Sequence, residues 1–147
     1  MSHFLAGKSA IIIGAGQGVG QGIAFALAER SAKISVTGRT LSKCDTTRDK
    51  IIRRDGEAIA LGCDIRNPDQ MAATVATTAE QFGGFNILVN NALSSVFGTL
   101  NHVEAAAFSQ TTPMKRIGDS ENDIGLFVAT LCSAESQCVS GQSIAVD

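Results

Sequence analysis

The sequence predicts an α/β fold, a doubly wound parallel sheet. Two observations carry that prediction. Short β-type runs alternate with amphipathic helical stretches across the first 92 residues, which is the spacing of parallel strand–helix–strand units. The run Ile87 to Val89 is apolar at every position, as in a central strand buried on both faces.

The stretch Ser9 to Thr37 organises the rest. Ala10 to Ile13 is a short apolar strand that stops at a cluster of glycines. A helix follows, with Ile23, Ala26, Leu27 and Arg30 at spacings of three and four. The apolar stripe is expected to face the sheet, and Arg30 to close the last turn. Ile34 to Thr37 is the second strand. Gly14 permits torsions that a Cβ would obstruct, Gly18 permits close approach of a pyrophosphate, and Gly20 lets helix and strand pack closely. A helix starting at such a turn offers free N–H groups and a partial positive charge to phosphate.

Gly38, Arg39 and Thr40 end the second strand. Thr40 can cap a helix running to about Asp55, where Asp55-Gly56 ends it. Glu57 to Cys63 alternates as a third strand. Asn67 and Pro68 are an N-cap and first-turn pair for a helix through about Phe82, and Gly83-Gly84 stops it. Near the other end, Ser120 and Asp123 can form a capping box, and Ile124, Phe127, Val128 and Leu131 make one apolar helix face. Ser143 to Val146 alternates and can be a strand.

The chain of 147 residues is expected to form one domain, with 1–92 as a binding half and 113–147 as a C-terminal helix and strand. Hydrophobic content of 44% is ordinary for a folded protein. A net charge of −2 with scattered basic residues points away from nucleic acid and anionic membranes. No apolar run approaches membrane-spanning length, and Met1 to Lys8 lacks a signal-peptide shape, so a cytoplasmic location is expected. Cys44, Cys63, Cys132 and Cys138 show no CxxC pairing, and only His3 and His102 could join them, so a metal site is poorly supplied and reduced thiols are expected.

The glycine spacing bears on family. GxGxxG fails because Val19 stands where its last glycine would be, whereas GxxxGxG fits Gly14, Gly18 and Gly20. The third strand ends in Asp64-Ile65 and the fourth in Asn90-Asn91-Ala92. In order and spacing, these features from Gly7 to Ala92 resemble the short-chain dehydrogenase/reductase family, with its Rossmann-like fold. Leu93 replaces the glycine of the family's NNAG motif. The resemblance implies a dinucleotide cofactor. Its contacts would come from Gly14, Gly16, Gln17, Gly18, Val19 and Gly20 in the turn, and from Arg39 after the second strand. Asp64 and Ile65 would lie at the adenine, and Asn91 and Ala92 at the adenosine ribose, with Asn90 tying strands together. Gly38 stands where NAD-type members usually carry Asp, and Arg39 follows it. That leans toward NADP(H), with NAD(H) the alternative, because an arginine pairs with a 2′-phosphate. Gln17 stands within the turn where many NADP-binding members have a basic residue.

The family's catalysis needs a Tyr, a Lys four residues later and a Ser. The phenol exchanges a proton with the substrate, and the nearby ammonium lowers its pKa. The sequence contains no Tyr. Thr111 and Lys115 have the right spacing, yet an aliphatic alcohol is too weak an acid and Pro113 opposes a helix between them. Ser94 and Ser95 do not match the family's serine. Pro113 to Asp147 resembles the end of a full-length member, which implies that roughly a hundred residues near Ala92 to Pro113 are missing against an ordinary domain length. Asn101 to Gln110 is read as a remnant helix. The final strand is then expected to pair parallel to Ile87–Asn90, with Ile124–Cys132 as the crossover helix. Dimerisation through that edge is the competing arrangement, and a partner chain that completes the catalysis is a third possibility. A non-catalytic nucleotide-binding module and an inactive splice or deletion fragment remain as alternatives to an active oxidoreductase.

Overall fold

The computed structural model describes residues 3–92, 110, 114–144 and 146. Four parallel strands form one sheet in the order β3-β2-β1-β4: β1 Ser9–Ile13, β2 Lys33–Gly38, β3 Ala58–Gly62 and β4 Ile87–Asn90. The register pairs Ala10 with Ile34 and Ile87, and Ile34 with Ala58. The helices are α1 Gly18–Ala28, α2 Leu41–Ile52 and α3 Pro68–Phe82. After them come a π-helical stretch, Ser120–Gly125, and α4 Leu126–Leu131. The fold is α/β and Rossmann-like, as the alternating pattern predicts.

Alternation along the strands divides the sheet into two faces. Ala10, Ile12, Ile34 and Val36 are buried against Ile23 and Leu27 of α1 and Cys44 and Ile51 of α2. The opposite face meets α3 through hydroxyls. The buried side chains of Ser35 and Thr78 hydrogen-bond at 2.8 Å, and Thr78 also donates to the Thr74 carbonyl. Apolar surface thus dominates one side, and a satisfied polar pair anchors the other.

Several boundaries follow from local chemistry. Asn67 accepts from the N–H groups of Asp69 and Gln70, and Pro68 occupies the first turn of α3. Gly83 ends α3 in the left-handed conformation. Arg30 lies two residues beyond α1, and its guanidinium donates to the Ala26 carbonyl, closing the last turn.

The C-terminal expectations need correction. Among the described residues, Gln142–Ile144 and Val146 form no strand, and β4 pairs with β1 alone. The segment Ser120–Leu131 lies against α1 instead of bridging to the sheet edge, and Ile144 is exposed. The cap lies one residue earlier than expected. Asp119 accepts from Glu121 and Asn122, while Asp123 accepts from the Asp119 N–H. Gly125 and Ala129 are the buried residues of this segment, flanked by half-buried Ile124 and Val128, while Leu131 is exposed. The contact is a close one: a Cβ on Gly22 would lie 2.3 Å from the Ser120 carbonyl carbon, and one on Gly125 would lie 2.8 Å from Ala26 Cβ. Small residues decide which side turns inward. Nor is β4 buried on both faces. Ile87 and Val89 pack on the core, but Leu88 is 48% exposed, because no described strand continues the sheet beyond β4.

Ser94, Ser95, Thr111 and the helix expected over Asn101–Gln110 lie outside the described residues, apart from Gln110, whose carbonyl accepts from the Lys115 ammonium.

Candidate functional site

A cleft of about 600 Å³ opens at the carboxyl ends of the strands. That is where an open parallel sheet binds ligands. The β1–α1 turn forms one wall. Gly14 has φ +77° and Gly18 φ +58°, both in the region that favours glycine. The N–H groups of Gly14 and Ala15 donate to the Thr37 carbonyl and pin the turn to the end of β2. A Cβ on Gly20 would lie 2.4 Å from the Gly14 carbonyl oxygen and 2.5 Å from Asn91 Nδ2. Gly20 therefore packs behind the turn, as the spacing implies, and does not line the cleft. Val19 also stands off the cleft and is 40% exposed.

The N-terminus of α1 receives no cap. Gln17, at the N-cap, makes no side-chain hydrogen bond to the helix, and the first turn holds no acidic residue. The N–H groups of Gly18, Val19 and Gly20 lack intrahelical acceptors. A Cβ on Gly18 would meet nothing within 4 Å, so the approach to that turn is open. These features fit the phosphates of a dinucleotide.

Arg39, exposed at the end of β2, lines the cleft. Among the described residues its guanidinium forms no ion pair, and no acidic residue stands beside it in the first turn of α2. Asp64 and Ile65 also line the cleft. Asp64 is held by Arg66, whose Nη2 lies 2.6 Å from Oδ2 and whose backbone N–H also donates to the carboxylate. These bonds, with a lesser pull from Arg39, hold the Asp64 carboxyl down at about 2. The Asp64 N–H donates to Gln70 Oε1, fixing the strand end to α3.

Asn91 closes the end of β4. Its amide donates to the carbonyls of Ile13 at 3.4 Å and Gly14 at 3.3 Å, and Asn91 and Ala92 line the cleft. Asn91, rather than Asn90, is thus the asparagine whose side chain ties β4 to β1. Cys44 and Cys63 are buried free thiols that also line the cleft, and burial raises the Cys44 pKa.

Sequence reasoning missed Lys43. Its Nζ lies 2.6 Å from Gln17 Oε1, and it lines the cleft with Arg39. The available signal was its position in the first turn after the expected Thr40 cap, in the helix that follows Arg39. Arg66 was also missed, though Asp64-x-Arg66 places it beside the carboxylate.

This fold and cleft define a Rossmann-like domain with an open site at the carboxyl ends of its strands. Residues 8–116 match the family model for short chain dehydrogenase, and the chain belongs to that family. The family binds NAD(P). Over 110 residues the chain is 34% identical to versicolorin reductase 1 of Aspergillus parasiticus, covering 74% of this chain and 42% of that protein. Its structure is similar to a hydroxysteroid dehydrogenase from Escherichia coli, with TM-score 0.62 and 26% identity over 91% of this chain and 54% of the other. It is also similar to a metagenomic short-chain oxidoreductase in complex with NADP, with TM-score 0.59 and 27% identity, covering 89% and 57%. The chain spans less than half the length of the Aspergillus relative.

Proposed function

We propose that this chain is the NADP(H)-binding part of a short-chain oxidoreductase acting on a carbonyl or alcohol. The observation that carries this reading is the cleft's phosphate side: an uncapped α1 N-terminus with Arg39 facing the same space and no acidic residue in the first turn of α2. When bound, NADP(H) supplies the hydride. Gly14, Gly16, Gln17, Gly18, Val19 and Gly20 form the turn that receives the pyrophosphate. Arg39 meets the 2′-phosphate, Asp64 and Ile65 lie toward the adenine, and Asn91 and Ala92 lie toward the ribose.

The proton side of the reaction is different. No Tyr occurs in these 147 residues, so no phenol here can serve as general acid or base. A second copy of the same chain would lack it equally. The phenol of a working enzyme must come from a different chain or from sequence outside these residues. An internally shortened chain fits the coverage: 91% of this chain is matched against 54% of the hydroxysteroid dehydrogenase, reaching past Ala92 into the C-terminal segment.

Calorimetric titration with NADPH and NADH tests the reading. Saturable binding with NADPH tighter by about ten-fold is expected from one extra charged contact. Absence of heat with either nucleotide, from a sample with a cooperative unfolding transition, refutes it. So does carbonyl reduction by the purified chain alone, as far as the missing proton donor is concerned.

A further inference from the structure

We infer that Lys43 is a second cation for the ribose 2′-phosphate, held ready by Gln17 over Gly16. This rests on the NADP(H) reading of the cleft and adds to it the residue that sharpens selectivity.

Lys43 sits where a lysine is poorly placed for helix stability. It is in the first turn of α2, at the positive end of the helix dipole. That turn contains no acidic residue, and Thr40 makes no side-chain cap. In water such a side chain would swing away from the helix end. Instead, Nζ reaches 2.6 Å from Gln17 Oε1, across 26 residues of sequence. The acceptor is neutral, so it orients the ammonium without cancelling its charge. Among the described residues Lys43 forms no ion pair.

Gly16 explains how the side chain gets there. It lies outside the GxxxGxG spacing, and its φ is not positive, so torsional freedom does not account for it. A Cβ on Gly16 would lie 2.9 Å from Lys43 Cβ, with the backbone of Lys43 and Cys44 at 3.4 Å. Any larger residue would lift the glycine turn off the lysine stem. Gly16, Gln17 and Lys43 thus form one unit linking the β1–α1 turn to α2.

The result is a paired charge. Arg39 before the α2 N-cap and Lys43 in its first turn both line the cleft. Between them lie the N–H groups of Leu41 and Ser42, which lack intrahelical acceptors. A phosphate monoester carries close to two negative charges at neutral pH and several acceptor oxygens. A ribose hydroxyl carries no charge. Gln17 replaces a charge within the turn, and Lys43 returns one to the same place from the next helix.

Lys43→Met, with its side chain exposed and outside the core, tests this by calorimetry against NADPH, NADH and the fragment 2′-phospho-AMP. NADPH and 2′-phospho-AMP are expected to weaken about ten-fold and NADH by less than about two-fold. The NADPH salt slope should also fall, as one charge contact is lost. Gln17→Leu should weaken NADPH less and leave the salt slope intact, since Gln17 positions the charge without supplying one. Equal losses for NADPH and NADH would assign Lys43 to the pyrophosphate and overturn the inference. Unchanged NADPH binding would overturn it while leaving the cofactor reading in place. If the folded parent chain bound neither nucleotide, both would fall together.

Discussion

Residues 9–92 and 114–144 are held in place by different physics. In the first region, the parts are joined by ladders: β1 hydrogen-bonds to β2 and β4, and side-chain bonds from Asn91 to the Ile13 carbonyl and from the Ser9 hydroxyl to the Gly84 carbonyl reinforce the ends. The C-terminal region adds no strand among its described residues. It attaches to α1 by close helix contact at Gly22 and Gly125, and by the Arg54–Glu121 ion pair at 2.6 Å. Arg54 also lies 4.3 Å over the Phe25 ring and 3.5 Å from Glu29, so one guanidinium ties α1, the end of α2 and the C-terminal segment together. The cleft belongs to the first region alone. The proposed binding at the cleft and the docking of the C-terminal region are therefore expected to be separable.

The largest expected effect is at Gly20. Its Cβ would strike the Gly14 carbonyl and the Asn91 amide that ties β4 to β1. Gly20→Ala should cost about 3 kcal/mol of stability by overpacking, read from urea unfolding, and should weaken NADPH binding by more than ten-fold. Retained stability and affinity would show that turn and cleft are not built as one unit.

Gly22→Ala should sharpen the comparison. The added methyl meets the backbone of Ser120 and Glu121, while alanine itself improves the helix. A net loss of about 1 kcal/mol is expected. Hydrogen exchange should quicken over 120–131 and stay unchanged in β1 and β2, with NADPH affinity preserved. Equal loss of protection in both regions would break the distinction.

The smallest effects are electrostatic. Asp64 and Asp123 each lie near an arginine, and hydrogen bonds from Arg66 and Arg116 respectively hold both carboxyls down at about 2. Their ordinary value is 3.8. The native state therefore binds these protons less readily than the unfolded chain. Each pair contributes stability above about pH 4 and loses it as pH falls toward 2. Both carboxylates are half-buried at the surface and their arginine partners are exposed, so the contribution is small and salt-sensitive. Carboxyl NMR titration should place both near 2, and Arg66→Ala should move Asp64 up toward 3.8 while leaving Asp123 unchanged.

How far the molecule could be read from its residues differs between the two regions for the same reason. The glycine turn, the Asn67-Pro68 start of α3 and its Gly83 stop are local signals, because the groups that satisfy them lie within a few residues. The parallel sheet followed from the alternating pattern, and with it the place of a cleft at the carboxyl ends of the strands, whereas the pairing named for the last strand did not form among the described residues. Lys43 and Gln17 were separate in the sequence, and only the packing of α2 against the glycine turn makes them partners. The C-terminal cap is Asp119, and Ser120 instead sets its backbone against Gly22.

The chain by itself determined its family, the alternation that yields β1 to β4, the glycine turn and the absence of a tyrosine. Those depend on residue identity and short-range spacing. Tertiary structure alone decided that Leu88 is exposed, that Gly125 and Ala129 rather than Phe127 and Leu131 turn inward, and that no C-terminal strand joins β4 among the described residues. Each of these depends on which surface arrives opposite, and an apolar pattern states that a face is to be buried without naming what will bury it.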